Sequence, residues 1–183
     1  MRTFRVLRVL LPFLIALLVV AVLVLVFTAR PNLQHAKSNV KQQWVPLERA
    51  LTVRYFVLSA ANASVHNTPG PVHQLVGGVD AALARWNTLQ RTHAATAPKV
   101  QAANTLEGLG RRLVAAARRS PRVQGDARAK IDAYVHAAVP PTAVAFDRAV
   151  KDYQRERTGP ARRTLADFLG YDEIVAYDTT GST

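Results

Sequence analysis

The chain has 183 residues, with 24 lysines and arginines against 12 aspartates and glutamates, for a formal net charge of +12. It has no cysteine, which excludes disulfides, thiolate metal sites and cysteine nucleophiles. Arg2, Arg5 and Arg8 open the sequence, so the rest holds 21 basic residues against all 12 acidic ones, a net +9. Such an excess suits nucleic acid, anionic lipid headgroups or an acidic wall polymer. However, the arginines are dispersed and no run of five like charges occurs. That is the pattern of a solvated surface, and nucleic acid is not the expected partner.

Residues 9–27 carry no charged or strongly polar side chain. As a helix such a run is apolar on every face and spans about 28 Å, close to the hydrocarbon thickness of a bilayer. Pro12 lies within one turn of Arg8, near the start of the run. A cleaved signal peptide has a shorter apolar region and a small-x-small cleavage site. The nearest candidate here is Phe27-Thr28-Ala29, with a bulky residue where a small one is wanted. The sequence therefore predicts an uncleaved, single-pass transmembrane anchor. Arg30, Lys37 and Lys41 nearly balance the N-terminal arginines. Orientation rests on a slight lean to the N-terminus inside and the following domain outside.

Arg30-Pro31 reads as a break. A helix is expected over residues 32–65, with Val40, Trp44, Leu47, Leu51, Tyr55, Leu58 and Val65 on one heptad-like stripe. Pro46 is expected to kink it near Gln42 and Gln43. Asn67-Thr68-Pro69-Gly70-Pro71 is a loop. Further helices are expected over 72–93, 99–119, 122–138, 142–157 and 161–169. They are punctuated by Pro98, Ser120-Pro121 as an N-cap and N1 pair, Pro140-Pro141, Gly159-Pro160 and a C-capping Gly170. Residues 171–183 read as a frayed tail. No useful strand alternation occurs. The fold class is all-α: a single N-terminal transmembrane helix followed by an elongated antiparallel helical bundle.

Three stretches resemble the LemA family of membrane-anchored bacterial helical proteins. The first is Asn39-Val40-Lys41-Gln42-Gln43-Trp44-Val45-Pro46-Leu47. The second runs from Asn104-Thr105-Leu106 through Leu109 and Leu113 to Ser120-Pro121-Arg122-Val123. The third comprises Phe146-Asp147, Tyr153-Gln154, Thr158-Gly159-Pro160 and Leu165 to Tyr171. Phe146-Asp147 and Tyr153-Gln154 stand where the family has Tyr-Asn pairs, which marks a divergent member. The resemblance implies a single-pass membrane protein with a long helical bundle and no established activity, cofactor or substrate. The resemblance covers roughly residues 39–177. With the apolar run and the tail composition, the expected domains are a basic tail (1–8), an anchor (9–29), a LemA-like bundle (30–170) and a flexible acidic, Ser/Thr-containing tail (171–183).

No catalytic constellation, cofactor motif or metal-ligand spacing is found. His35, His66, His73, His93 and His136 do not pair at i, i+4, although His66 and His73 flank one loop. Gly77-Gly78 and Gly108-Leu109-Gly110 lack the strand and lysine of a phosphate loop. Trp44 and Trp86 lie on apolar stripes and read as core. Arg111, Arg118, Arg119 and Arg122 form the candidate anionic-partner patch, with Arg111, Arg118 and Arg122 able to share a helix face. The plainer reading is a solvated helix end whose arginines complement the helix dipole. The expected function is a non-enzymatic scaffold or partner-binding module at the bacterial cell envelope, with a protein partner or self-association and contacts to anionic lipid or acidic polymer. The alternatives are a sensor relay coupled to a separate transducer, or an accessory to an envelope enzyme.

Overall fold

The computed structural model describes residues 3–137, 141–158 and 160–178, with most side chains of residues 3–29 outside the description. The elements in chain order are α1 (Thr3–Ser64), α2 (Pro71–Arg91), α3 (Thr96–Arg119), α4 (Gly125–His136), α5 (Thr142–Arg157) and α6 (Pro160–Phe168).

Two expectations about the N-terminal third are corrected. Among the described residues, no helix is long and apolar enough to cross a membrane. The expected fold, a separate single N-terminal transmembrane helix followed by a bundle, is therefore not the observed one. The apolar run 9–27, most of whose side chains lie outside the described residues, is the first part of a 62-residue helix that enters the bundle directly. Nor does Arg30-Pro31 break that helix, and it runs through Pro46 as well. A proline fixes its own φ near the helical value and removes one donor. Pro31 and Pro46 are both exposed, as are Phe27 and Gln42, whose carbonyls lose that donor. Water can satisfy those carbonyls on the solvent side.

The bundle assembles on the expected stripe of α1. Val40, Trp44, Leu47, Leu51, Tyr55 and Leu58 are buried, as is Val65 just past its end, and the stripe gains Leu33 one heptad earlier. Spaced three, four or seven residues apart, they form one seam. Gly70, at φ 93°, turns the chain so that Pro71 starts α2, which packs back along α1. Asn62 of α1 donates to Asp80 of α2 at 2.7 Å. α3 runs parallel to α1: Lys99 bonds Glu48 at 2.6 Å, and Tyr55 donates to the Ala103 carbonyl at 3.1 Å. α4 and α5 descend along α1 as one interrupted arm. Pro140, expected to interrupt them, lies outside the described residues, as does Gly159. The packing is an antiparallel helical bundle around α1, with the α1–α3 pair parallel.

The core centres on aromatics from three helices. Trp44 lies 5.3 Å from Phe146 and 6.5 Å from Trp86, and Trp86 meets Tyr55 edge-on at 5.0 Å. Both tryptophans are core residues, as their stripes imply. Beside them a buried ion pair joins α1 to α3. Arg54 holds Glu107 bidentately, Nε to Oε1 at 2.8 Å and Nη2 to Oε2 at 3.0 Å. The guanidinium also covers the Tyr134 ring of α4 at 4.5 Å. Gly110 of α3 admits that ring, since a Cβ there would collide with the Tyr134 hydroxyl and ring edge.

Two later expectations also change. Ser120-Pro121 does not start a helix. Residues 121–124 form a turn held by Gln124 donating to the Pro121 carbonyl at 2.6 Å, and α4 begins at Gly125. Residues 171–178 are not frayed: without helix or strand, they lie against α3 and α5, with Ile174 4% and Tyr177 2% exposed. Gly170, at φ 72°, caps α6 as expected. Its N–H reaches the Asp167 carbonyl and that of Tyr171 the Ala166 carbonyl, the paired bonds of a Schellman turn. The Ser/Thr part of the tail, 179–183, lies outside the described residues.

Replacing Arg54 by Ala strands the Glu107 carboxylate in the core and is expected to cost about 3–5 kcal/mol in urea unfolding. Arg54→Met with Glu107→Leu should recover most of that loss. Burial raises the hydroxyl pKa of Tyr55, Tyr134 and Tyr177 above the usual 10.0 and pushes that of Tyr153 up to about 12. The fold thus favours the protonated phenols. This contribution to stability is complete below pH 10 and is lost as pH rises toward 12 and beyond. Tyrosinate absorbance should therefore appear together with loss of helical circular dichroism.

Candidate functional site

The arginines near the end of α3 divide by helix face. Arg111 and Arg118 are seven residues apart and point toward the tail and α4. Arg111 bonds Asp178, which raises its pKa. Arg118 lies 3.9 Å from Asp132, which Arg128 also approaches at 3.5 Å. Both are thus at least partly neutralised by this chain's own carboxylates.

Arg112 and Arg119, also seven apart, lie on the neighbouring face. They look onto the α1–α2 turn, and Arg122 joins them from the 121–124 turn. The three border a groove of about 640 Å³ at the end of the bundle. Its apolar walls come from Pro69, Pro71, Leu75 and Pro121, with Ala115 and Ala116 beneath. Among the described residues none of these three arginines pairs with a carboxylate. Small alanines leave room between α2 and α3, and the prolines stiffen the rim without supplying donors. Guanidiniums beside apolar walls, where water is partly displaced, favour bidentate contact with carboxylate or phosphate oxygens.

The structure therefore brings together Arg119 and Arg122 of the expected patch and sets Arg111 and Arg118 apart. It adds Arg112, whose position one residue after Arg111 rotates it about 100° around the helix. The sequence held that signal, because i, i+7 spacing joins Arg112 to Arg119 as well as Arg111 to Arg118. What it lacked was the location of Asp132 and Asp178.

His66 and His73 do approach, with ring centroids 6.4 Å apart, and His73 Nδ1 lies 3.1 Å from the His66 carbonyl. Among the described residues no group of three metal-ligating side chains comes together. No protein-family model, curated protein or solved structure matches the chain. The likeness to LemA proteins rests on the motifs alone.

Arg119→Ala and Arg122→Ala are expected to change unfolding free energy by no more than about 0.5 kcal/mol, as ordinary surface substitutions do. Arg111→Ala should instead quicken hydrogen exchange at the Asp178 amide. Equal effects of the three would contradict the division of the arginines.

Proposed function

We propose that this chain is a non-enzymatic, LemA-like helical scaffold at the bacterial cell envelope, presenting the groove of Arg112, Arg119 and Arg122 to an anionic partner. The observation that carries the reading is three guanidiniums around an apolar groove that, among the described residues, have no carboxylate partner, beside arginines that the chain neutralises itself. Positive charge left uncompensated at a concave surface attracts carboxylates or phosphates and speeds encounter with them. The placing at the envelope is supported by Leu17, Val20, Val24 and Phe27, large apolar side chains exposed on α1 ahead of Leu33, the first of its described side chains that is buried.

The test compares the wild type with the triple variant Arg112→Gln, Arg119→Gln, Arg122→Gln. The probes are polyphosphate, polyglutamate and anionic phosphatidylglycerol vesicles at low and high salt. Loss of three charge-assisted contacts should weaken binding by roughly tenfold or more. Arg118→Gln, at a paired position, is the control expected to leave binding unchanged. Salt-insensitive binding, or equal binding by the triple variant, would refute the site. Crosslinking in native cells, read by mass spectrometry, should capture a protein partner through groove residues. Recovery of the chain wholly outside the envelope fraction would refute its placing there.

A further inference from the structure

The contacts of residues 171–178 are made largely with their main chain. Asn104 of α3 donates from Nδ2 to the Ala176 carbonyl at 3.0 Å and accepts the Asp178 N–H at 2.8 Å. One side-chain amide thus takes a carbonyl and an N–H two residues apart, as the backbone of a neighbouring β-strand would. From α5, Asp147 accepts the Tyr177 N–H at 2.9 Å, Gln154 donates to the Ile174 carbonyl at 3.0 Å, and the Tyr153 hydroxyl donates to the Asp172 carbonyl at 2.8 Å. Five bonds therefore read the segment's main chain. Past Tyr171, the side chains held most closely are the buried Ile174 and Tyr177 and, through its ion pair with Arg111, Asp178. Backbone bonds for affinity and spaced pockets for specificity are how extended peptides are recognised.

Among the described residues, the segment shares no backbone–backbone hydrogen bond with a helix beyond the cap at Tyr171. The cleft floor is polar, with the Arg54–Glu107 pair and the Tyr55 and Tyr134 hydroxyls, so water entering it meets groups it can solvate. The Tyr177 hydroxyl lies near Glu107 and Tyr55 without a hydrogen bond of good geometry to either. The near end stays fixed: Lys37 donates to the Gly170 carbonyl at 3.3 Å and covers the Tyr171 ring at 4.9 Å. Gly170, in its left-handed conformation, marks the point where the segment leaves α6.

We propose that the α3–α5 cleft is a peptide-binding site, occupied in cis by residues 171–178. In trans it accepts a partner's extended acidic segment that carries an aliphatic residue three positions before a tyrosine, followed by Asp. This goes beyond the basic groove and does not depend on it. A tethered tail competes at high effective concentration, so the trans site is largely masked until the tail is released.

The test uses the full chain and a fluorescein-labelled octapeptide of sequence Tyr-Asp-Glu-Ile-Val-Ala-Tyr-Asp, followed by anisotropy. The variant Ile174→Ala, Tyr177→Ala loosens the tail and leaves the cleft intact. It should bind the peptide at least about tenfold more tightly than the wild type does, and adding Asn104→Ala should reverse the gain. Equal binding by the loosened and wild-type chains, or a gain that Asn104→Ala does not reverse, overturns the proposal. If the loosened variant loses helical circular dichroism, hydrogen exchange in the wild type decides. Amides of Tyr177 and Asp178 exchanging much faster than those at the centre of α3 support a releasable tail. Equal protection overturns it.

Discussion

The Arg54–Glu107 pair is the contact on which the arrangement depends. It lies where α1, α3, α4 and the tail converge, with Tyr55, Tyr134 and Tyr177 around it. Apolar stripes alone let two helices slide by a turn at modest cost. A bidentate pair with Glu107 2% exposed does not, because a slip of one turn would leave both charges buried and apart. The register it sets is consistent with Lys99 meeting Glu48 lower down and with Gly110 meeting Tyr134 across the α3–α4 contact. The pair is thus a device for alignment more than a source of net stability.

Much of this fold was legible in the sequence because it follows from periodicity. The stripe from Val40 to Val65 fixed which face of α1 is buried. The loops at Pro69-Gly70-Pro71 and Gly170 followed from residues whose backbone preferences are narrow. What could not be read depends on contacts between distant residues. Arg54 stands beside Tyr55 on the stripe, and nothing local says that its partner lies 53 residues away. The tail has acidic and small residues and no helical or strand period. Its order comes from Asn104, Asp147 and Gln154, which supply the hydrogen bonds a neighbouring strand would otherwise give. The continuity of α1 past Pro31 was missed for a related reason: the carbonyl that this proline frees belongs to the exposed Phe27, where water can stand in for the missing donor.

The candidate groove shows the same division. Sequence located the arginines to the end of α3, and helical spacing grouped them. Which group is available to a partner depended on Asp132 and Asp178, one on the next helix and one in the tail. Tail and groove are linked through α3, since Arg111 and Arg112 are adjacent and face opposite tasks. The motif positions Asp147, Tyr153 and Gln154, singled out by resemblance, all bond the tail's main chain, which gives those positions a physical role in this chain.

α1 sets a length as well as a scaffold. From Phe27, whose ring is exposed, to Ser64 at the base of the groove-bearing turn, 37 residues rise without interruption. At 1.5 Å each the two points stand roughly 55 Å apart. A helix of this kind resists shortening, so the interval is a fixed reach. The apolar end of α1 and the arginine groove are thus held apart by a molecular ruler, and a single small ligand cannot bridge them.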